Sequence, residues 1–398
     1  MKSNTYLPAL TGIRAIAAFM VFFHHFNQES YPYPLFRLFN EFHTGVTIFF
    51  VLSGFLICLR YYNTCEITSD WFRKYLKNRI ARIYPMYLLL TIATFAIAWY
   101  MKTETIYNGF SFHGVLLLLN IFFLRGFFDD FKFTGVAQGW SLTVEECFYF
   151  LAPLFFVRIQ KNKNALWILP IVILSIGLLL VVIFSHANFY GFYGNYTFMF
   201  LYTFTGRCVE FFIGMSVALV VLKKNPLITS KPYFTYLGLL IMFGSISIMA
   251  SLPITETRQF GLYHPFGIFT NNVLLPVGIG LFFYGLITEL SIVQRFLSTK
   301  TMQLLGVSSY IFYLIHIGFI SSLSSGWSEK WTNTFYEWMD KKEMTWITEH
   351  INPSVVLTLL VFVILNIVSI VLFKCIEEPV NRKIRQSSFL EKRKKGLA

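Results

Sequence analysis

The sequence predicts an all-α fold, a polytopic membrane helix bundle of about ten transmembrane helices plus a re-entrant or partial helix. Three observations predict it. Only 13% of the 398 residues are charged, where a soluble chain carries about 25%. The mean hydropathy is +0.58. Apolar stretches long enough to cross a bilayer recur along the chain, and Lys and Arg gather in the short segments between them.

The first expected span, 8–27, holds the pattern around which the rest is arranged. It carries Arg14 near one end and His24 and His25 near the other. A charged side chain at the bilayer centre costs about 2.5–3.5 kcal/mol on insertion scales, so it is rarely left facing lipid. Arg14 and His25 are eleven positions apart. At roughly 100° per residue they share one helix face, about 16 Å apart along the axis, and His24 falls about 100° off it. Pro8 and Arg14 lie inside this stretch and no small-residue cleavage site follows, so it reads as retained rather than as a signal peptide.

The second span is expected at 45–61. Arg73, Lys74, Lys77, Arg79 and Arg82 follow and assign that side, and with it the N-terminus, to the cytoplasm. A third span runs over 83–101. Residues 114–125 are apolar but short, and read as the re-entrant or partial helix. Further spans are expected near 140–157, 166–186, 198–222, 234–251, 267–288, 303–322 and 353–374. The basic loops and the tail then all face the cytoplasm, as does the C-terminus. The stretch 323–352 is the longest external loop, and its Trp327, Trp331, Trp338 and Trp346 are expected at the membrane interface. Residues 1–382 form one membrane domain and 383–398 a basic cytoplasmic tail.

The net charge of +13 does not argue for nucleic acid, because loop Lys and Arg beside anionic lipid headgroups account for it. The five cysteines are scattered with no CxxC pair, which speaks against a disulfide framework and against a metal site.

Several side chains have two readings each. Arg14 with His25 is either a polar pathway inside the bundle or two residues snorkelling at opposite ends. Glu145 and Glu146, in WSLTVEECFY after Trp140, either complement a helix N-terminus, with Ser141 as cap, or serve chemistry. In the second case a carboxylate orients a histidine or contacts a sugar hydroxyl. Arg79 and Arg82 lie three apart on one face and either set topology or grip a phosphate bidentately. Arg207 and Glu210 read best as an internal ion pair. His316 is a packing hydrogen-bonder or lines the same cavity. Glu377, Glu378 and Pro379 read as structural, with Pro379 ending the last helix. His43, Ser53, Gly45 and Gly54 fall on the second span, where the glycines suggest close helix contact.

With these residues in view, the chain resembles the acyltransferase family 3 membrane proteins, which O-acylate bacterial surface glycans. LPALTGIRAIAAFMVFFHHF, GVTIFFVLSGFLI, RIARIYPMYLL, WSLTVEECFYFLAPLFF, RCVEFFIGM, GVSSYIFYLIH and CIEEPVNR carry the resemblance, from residue 7 to about 382. It implies that Arg14 and His25 are the family's Arg/Lys-x10-His pair and that Arg79 and Arg82 are its RxxR pair, associated with the acyl-CoA donor. Two departures stand out. His316 is followed by Ile-Gly where many relatives have an aromatic residue and a proline. No hydrolase-like domain follows the membrane part, so the expectation is that it acts alone or hands its acyl group to another protein.

The expected reaction is transfer of an acyl group, acetyl first, from cytoplasmic acyl-CoA to a hydroxyl of a surface polysaccharide or lipid-linked glycan. Arg79 and Arg82 would bind the donor; Ser141 and His316 would bind substrate. His25 would act as general base, with Glu145 or Glu146 fixing its tautomer and Arg14 neutralising developing charge. No metal is called for, the expected partners are the glycan and membrane lipids without nucleic acid, and a homo-oligomer is compatible with this reading. The expected location is the inner, cytoplasmic membrane. Competing classes are a proton-coupled exporter of a glycan or small molecule, which intramembrane Arg, His and Glu would also suit, and a non-catalytic glycan-binding scaffold.

Overall fold

The computed structural model describes residues 7–29, 31–101, 113–187, 189–224, 228–255, 259–343 and 352–387. Among them there is no β-strand, only the isolated bridges Phe128–Phe192 and Thr229–Glu289. Trp346 and residues 388–398 of the expected tail lie outside the described residues.

The helices in chain order are α1 Pro8–His25, α2 Tyr33–Asn40, α3 Gly45–Tyr61, α4 Ser69–Tyr100, α5 His113–Ile121 and α6 Trp140–Lys161. Then follow α7 Ala165–Phe184, α8 Tyr196–Tyr202, α9 Phe204–Lys224, α10 Tyr233–Ser251, α11 Pro265–Phe269 and α12 Leu275–Thr288. The last are α13 Ile292–Leu297, α14 Lys300–Ile315, α15 Phe319–Lys341, α16 Pro353–Leu372 and α17 Glu378–Gln386. By length and composition, seven described segments can cross a membrane, or eight if the bent pair α14–α15 is one span. The two further expected spans are α1 and α6, whose Arg14, His24 and His25, or Glu145 and Glu146, lower their hydropathy. The protein is a multi-pass membrane helix bundle.

Glycines set how closely its central helices approach. A Cβ on Gly306 of α14 would lie 1.9 Å from the Thr11 carbonyl oxygen of α1. One on Gly45 of α3 would lie 2.2 Å from the Ala17 carbonyl oxygen, so α1 is gripped from two sides with no room for a side chain. The consequence reaches the site: with α1 and α14 in contact, His25 at the end of α1 meets His316 just past α14.

Four expectations change. The third helix begins at Ser69 rather than near residue 83, so Arg79 and Arg82 lie well inside it rather than at its mouth. The 198–222 span breaks between α8 and α9, where Asn272 donates to the Phe200 and Gly206 carbonyls at 2.8 and 3.1 Å. That amide satisfies carbonyls at the break and allows it inside the bundle. The expected external loop 323–352 is instead largely α15, turned 94° from α14, at Gly318 with φ +100°. Trp327, Trp331 and Trp338 are exposed along α15. Finally, Pro379 ends nothing. The chain passes through a π-helical turn, Phe373–Glu377, into α17, where Pro379 occupies the first turn and lacks only a donor that turn does not use.

The partial helix expected at 114–125 is present as α5. Its last carbonyls are taken by hydroxyls of α4: Tyr87 donates to Asn120 at 2.9 Å and Tyr84 to Ile121 at 2.6 Å. The bond to Ile121 supplies a partner the helix end leaves open, and that to Asn120 adds to the Phe123 N–H bond at 3.1 Å.

Candidate active site

Two cavities meet inside the bundle. The first, about 120 Å³, is lined by Arg14 from α1, Ser53 from α3, Arg79 and Arg82 from α4, and Ser141 and Glu145 from α6. The second, about 300 Å³, is lined by His24 and His25 at the end of α1, by His43, by Gln138 and Trp140, and by an aromatic wall that includes Tyr202 and Tyr263. Val46 and Tyr313 line both. The arginines and the imidazole expected to share one open passage therefore stand on either side of a common wall.

In the arginine cavity, Arg82 and Arg79 are held by different devices. Arg82 donates to Glu377 at 3.0 Å, and Glu377, 1% exposed, comes from the π-turn before α17. Glu377 is thus a fixed counter-charge for the site, beyond the structural role expected of it. Arg79 lies over the rings of Tyr61 and Tyr149, 5.6 Å from each centroid, a desolvated cation–π arrangement. Arg79 Nε and Arg82 Nη2 are buried without a protein hydrogen-bond partner, which leaves N–H groups for an anion. Glu145 accepts a hydrogen bond from the Ser53 hydroxyl. Ser141 pairs with Tyr313 Oη at 2.9 Å and donates to the Gln138 carbonyl at 2.9 Å. Glu146 is among the lining residues of neither cavity.

In the histidine cavity, hydrogen bonds fix the tautomers. His25 Nδ1 is 2.9 Å from the Val21 carbonyl oxygen. A carbonyl only accepts, so Nδ1 carries the proton and Nε2 holds the lone pair. His316 Nδ1 is 2.7 Å from the Tyr313 carbonyl oxygen and carries its proton in the same way. Its Nε2 therefore faces His25 Nδ1 as an acceptor, at 3.3 Å. His316 is fully buried, so it stands behind His25 and does not present itself to a substrate. Among the described residues no carboxylate is hydrogen-bonded to His25. A carbonyl and a second imidazole do that work, because Glu145 belongs to the arginine cavity.

With this geometry, the comparisons with known proteins decide the family. The family model described as an acyltransferase domain matches residues 7–374. The chain belongs to this acyltransferase family. It is similar to the O-acetyltransferase OatA of Staphylococcus aureus, 27% identical over 343 residues, which are 82% of this chain and 52% of that one. It is similar to the peptidoglycan O-acetyltransferase OatA of Listeria monocytogenes, 26% identical over 80% of this chain and 50% of that one. It is also similar to the putative peptidoglycan O-acetyltransferase YrhL of Bacillus subtilis, 26% identical over 79% of this chain and 49% of that one. The chain spans about half the length of these curated relatives. No solved structure matches it.

Sequence reasoning missed three residues in and beside these cavities. Tyr313 forms the common wall; its signal was only the helical spacing that puts it one turn before His316. Gln138 sits in a 3₁₀ turn, Ala137–Gly139, that nothing in the pattern announced. Arg125 is fully buried and donates to the Val136 carbonyl, pinning the start of that turn. A lone Arg between two apolar runs, LLLLNIFFLRGFF, is the signal that would have found it.

Proposed function

We propose that the protein is a membrane O-acetyltransferase that moves an acetyl group from acetyl-CoA on the cytoplasmic side to a hydroxyl of a glycan outside. Both termini face the cytoplasm of the inner membrane in this reading. The observation that carries it is the pairing of the cavities: a small, strongly cationic one and a larger, imidazole-lined one abut at Tyr313 and Val46. A thioester donor with a polyphosphate handle suits the first, and an uncharged polyhydroxyl acceptor suits the second.

The arginine cavity, at about 120 Å³, admits a thin pantetheine arm; the nucleotide would stay at its mouth with phosphates on Arg79 and Arg82. Arg14 is the third cation there and would stabilise negative charge on the thioester oxygen as it develops. His25 Nε2 would take the proton of the acceptor hydroxyl as that oxygen attacks the thioester carbon. The resulting imidazolium is stabilised through Nδ1 by the Val21 carbonyl and His316. The same proton then passes to the departing CoA thiolate. A positioned base contributes about 10²–10⁴-fold. The printed names of the Listeria and Bacillus relatives specify peptidoglycan, which supports a surface polysaccharide as acceptor class.

The test is incubation of membranes containing the full chain with radiolabelled acetyl-CoA and a peptidoglycan-derived glycan. Label in the glycan is the expected result. No label in the glycan, with flux of glycan across vesicles independent of CoA, would replace the enzyme reading with an exporter.

A further inference from the structure

Several ionisable groups in the histidine cavity have no part in the reaction above, His43 among them. His43, just before α3, lines the cavity, and its Nε2 is 3.0 Å from Glu41 Oε2. Glu41 is completely buried. Its other oxygen accepts the Gly261 backbone amide at 2.7 Å. That amide belongs to a segment with no space for a side chain, since a Cβ on Gly261 would lie 2.0 Å from the Met249 carbonyl oxygen. A carboxylate locked at both ends is a costly thing to bury for packing alone. Here it holds the His43 ring in one orientation, with the proton on Nε2 and a lone pair on Nδ1.

His24 links this imidazole to the reacting one. Its ring packs edge-on against His25 at 4.7 Å and against His43 at 5.5 Å. His24 Nδ1 is buried without a hydrogen-bond partner, and so is Gln138 Oε1; both residues line the same cavity. The rest of the lining is largely aromatic: Trp140 packs on Tyr202 at 4.9 Å, the Tyr202 and Tyr263 hydroxyls meet at 2.9 Å, and Phe260 joins Tyr263 to the His24 ring, 5.1 Å away, with Arg207 also in the lining. An apolar wall facing a few oriented polar atoms is the pattern of a site for a small polyfunctional ligand. A sugar ring fits it, with its C–H face on the aromatics and its hydroxyls toward the imidazoles.

We infer that His43, held by Glu41, is a specificity-determining residue that accepts a hydrogen bond from a second hydroxyl of the acceptor sugar while His25 engages the one to be acetylated. This rests on the acetyltransferase reading above. A site built to hydrogen-bond a substrate hydroxyl discriminates strongly against an analogue that lacks it, because the buried partner is then left unpaired.

The experiment measures acetyl transfer by the full chain in membranes, from labelled acetyl-CoA to a soluble peptidoglycan fragment and to a panel of its monodeoxy analogues. His43→Ala is expected to lower kcat/KM for the intact fragment tenfold or more, with the KM for acetyl-CoA unchanged. For one analogue, the wild type is expected to lose that same factor and His43→Ala to lose nothing further. His43→Gln, which restores an acceptor atom, is expected to recover part of the loss, and Glu41→Gln to show a smaller loss confined to the same analogue comparison. Equal losses for His43→Ala across every analogue, or no loss at all, would overturn the assignment. No label in the glycan from the wild-type protein would overturn the acetyltransferase reading itself, and the role of His43 with it.

Discussion

The arginine cavity and the histidine cavity share a wall but are built differently. The first is walled by the interiors of long helices: Arg14 in α1, Ser53 in α3, Arg79 and Arg82 in α4, Tyr310 and Tyr313 in α14. Two of its three guanidinium groups are fixed, Arg82 on Glu377 and Arg79 between two tyrosines. The second is walled mostly by helix ends and connections: the last turn of α1, the 3₁₀ turns Glu41–Thr44 and Ala137–Gly139, and the segment that carries Phe260 and Tyr263. Its polar groups are three imidazoles, an amide, hydroxyls and the Arg207 guanidinium, which is paired with Glu210 at 2.8 Å. Connections tolerate sequence change where close-packed helices do not. In the proposed reading, the donor would then sit in the rigid part and the acceptor where connections leave recognition more room to vary.

That contrast breaks most clearly at His25. His25→Ala should reduce glycan acetylation by about 10²–10⁴-fold, the range for loss of a positioned base, while acetyl-CoA binding, read by isothermal titration on the purified protein, stays intact. Retained acetylation would remove the histidine cavity from the chemistry. The next effect is on the other side of the wall. Arg79→Ala should raise the KM for acetyl-CoA about tenfold, the cost of one charge-assisted contact of roughly 1.5 kcal/mol, and leave the acceptor KM alone. Arg79→Lys should not restore it, because an ammonium lacks the flat face that lies over Tyr61 and Tyr149. Equal changes in both KM values would mean that the cavities are not specialised.

The fold was legible because bilayer crossing is a constraint on composition. Spans such as α3, α7 and α10 stand where apolar length and basic flanks put them. Arg14, Arg79 and Arg82 were legible as buried or clustered charges, and the eleven-residue spacing put Arg14 and His25 on one face of one helix but did not show that they line two different cavities. What stayed hidden was set by contacts distant in sequence. The partner of Arg82 is Glu377. The neighbour of His25 is His316. Periodicity reports one helix at a time, so it cannot say which helix faces lie together. The π-turns at Thr270–Leu274 and Phe373–Glu377 also left no pattern, since an extra residue per turn carries no compositional mark. The misread stretch after α14 has a different cause. α15 is too polar for a span and too amphipathic for a loop, with Ser324, Ser328 and Thr332 buried on one face and Trp327 and Trp331 exposed on the other.

The smallest expected effect is the most informative about the wall. The Tyr313 ring borders both cavities, and its hydroxyl meets Ser141 at 2.9 Å and donates to the Gln138 carbonyl at 3.3 Å. Tyr313→Phe keeps the ring and deletes these bonds, whose net worth is about 0.5–1.5 kcal/mol each. Transfer should fall only a few-fold, and CoA release should still match acetyl groups delivered. Tyr313→Ala removes the ring and merges the two spaces. Water from the histidine cavity then reaches the thioester, so CoA release without acceptor should rise above the wild-type rate even as transfer falls. The ratio of CoA released to acetyl transferred, measured with and without glycan, separates the two substitutions. If Tyr313→Ala stays as tightly coupled as the wild type, the barrier between donor and acceptor lies elsewhere, in Val46 or in closure of the helices themselves.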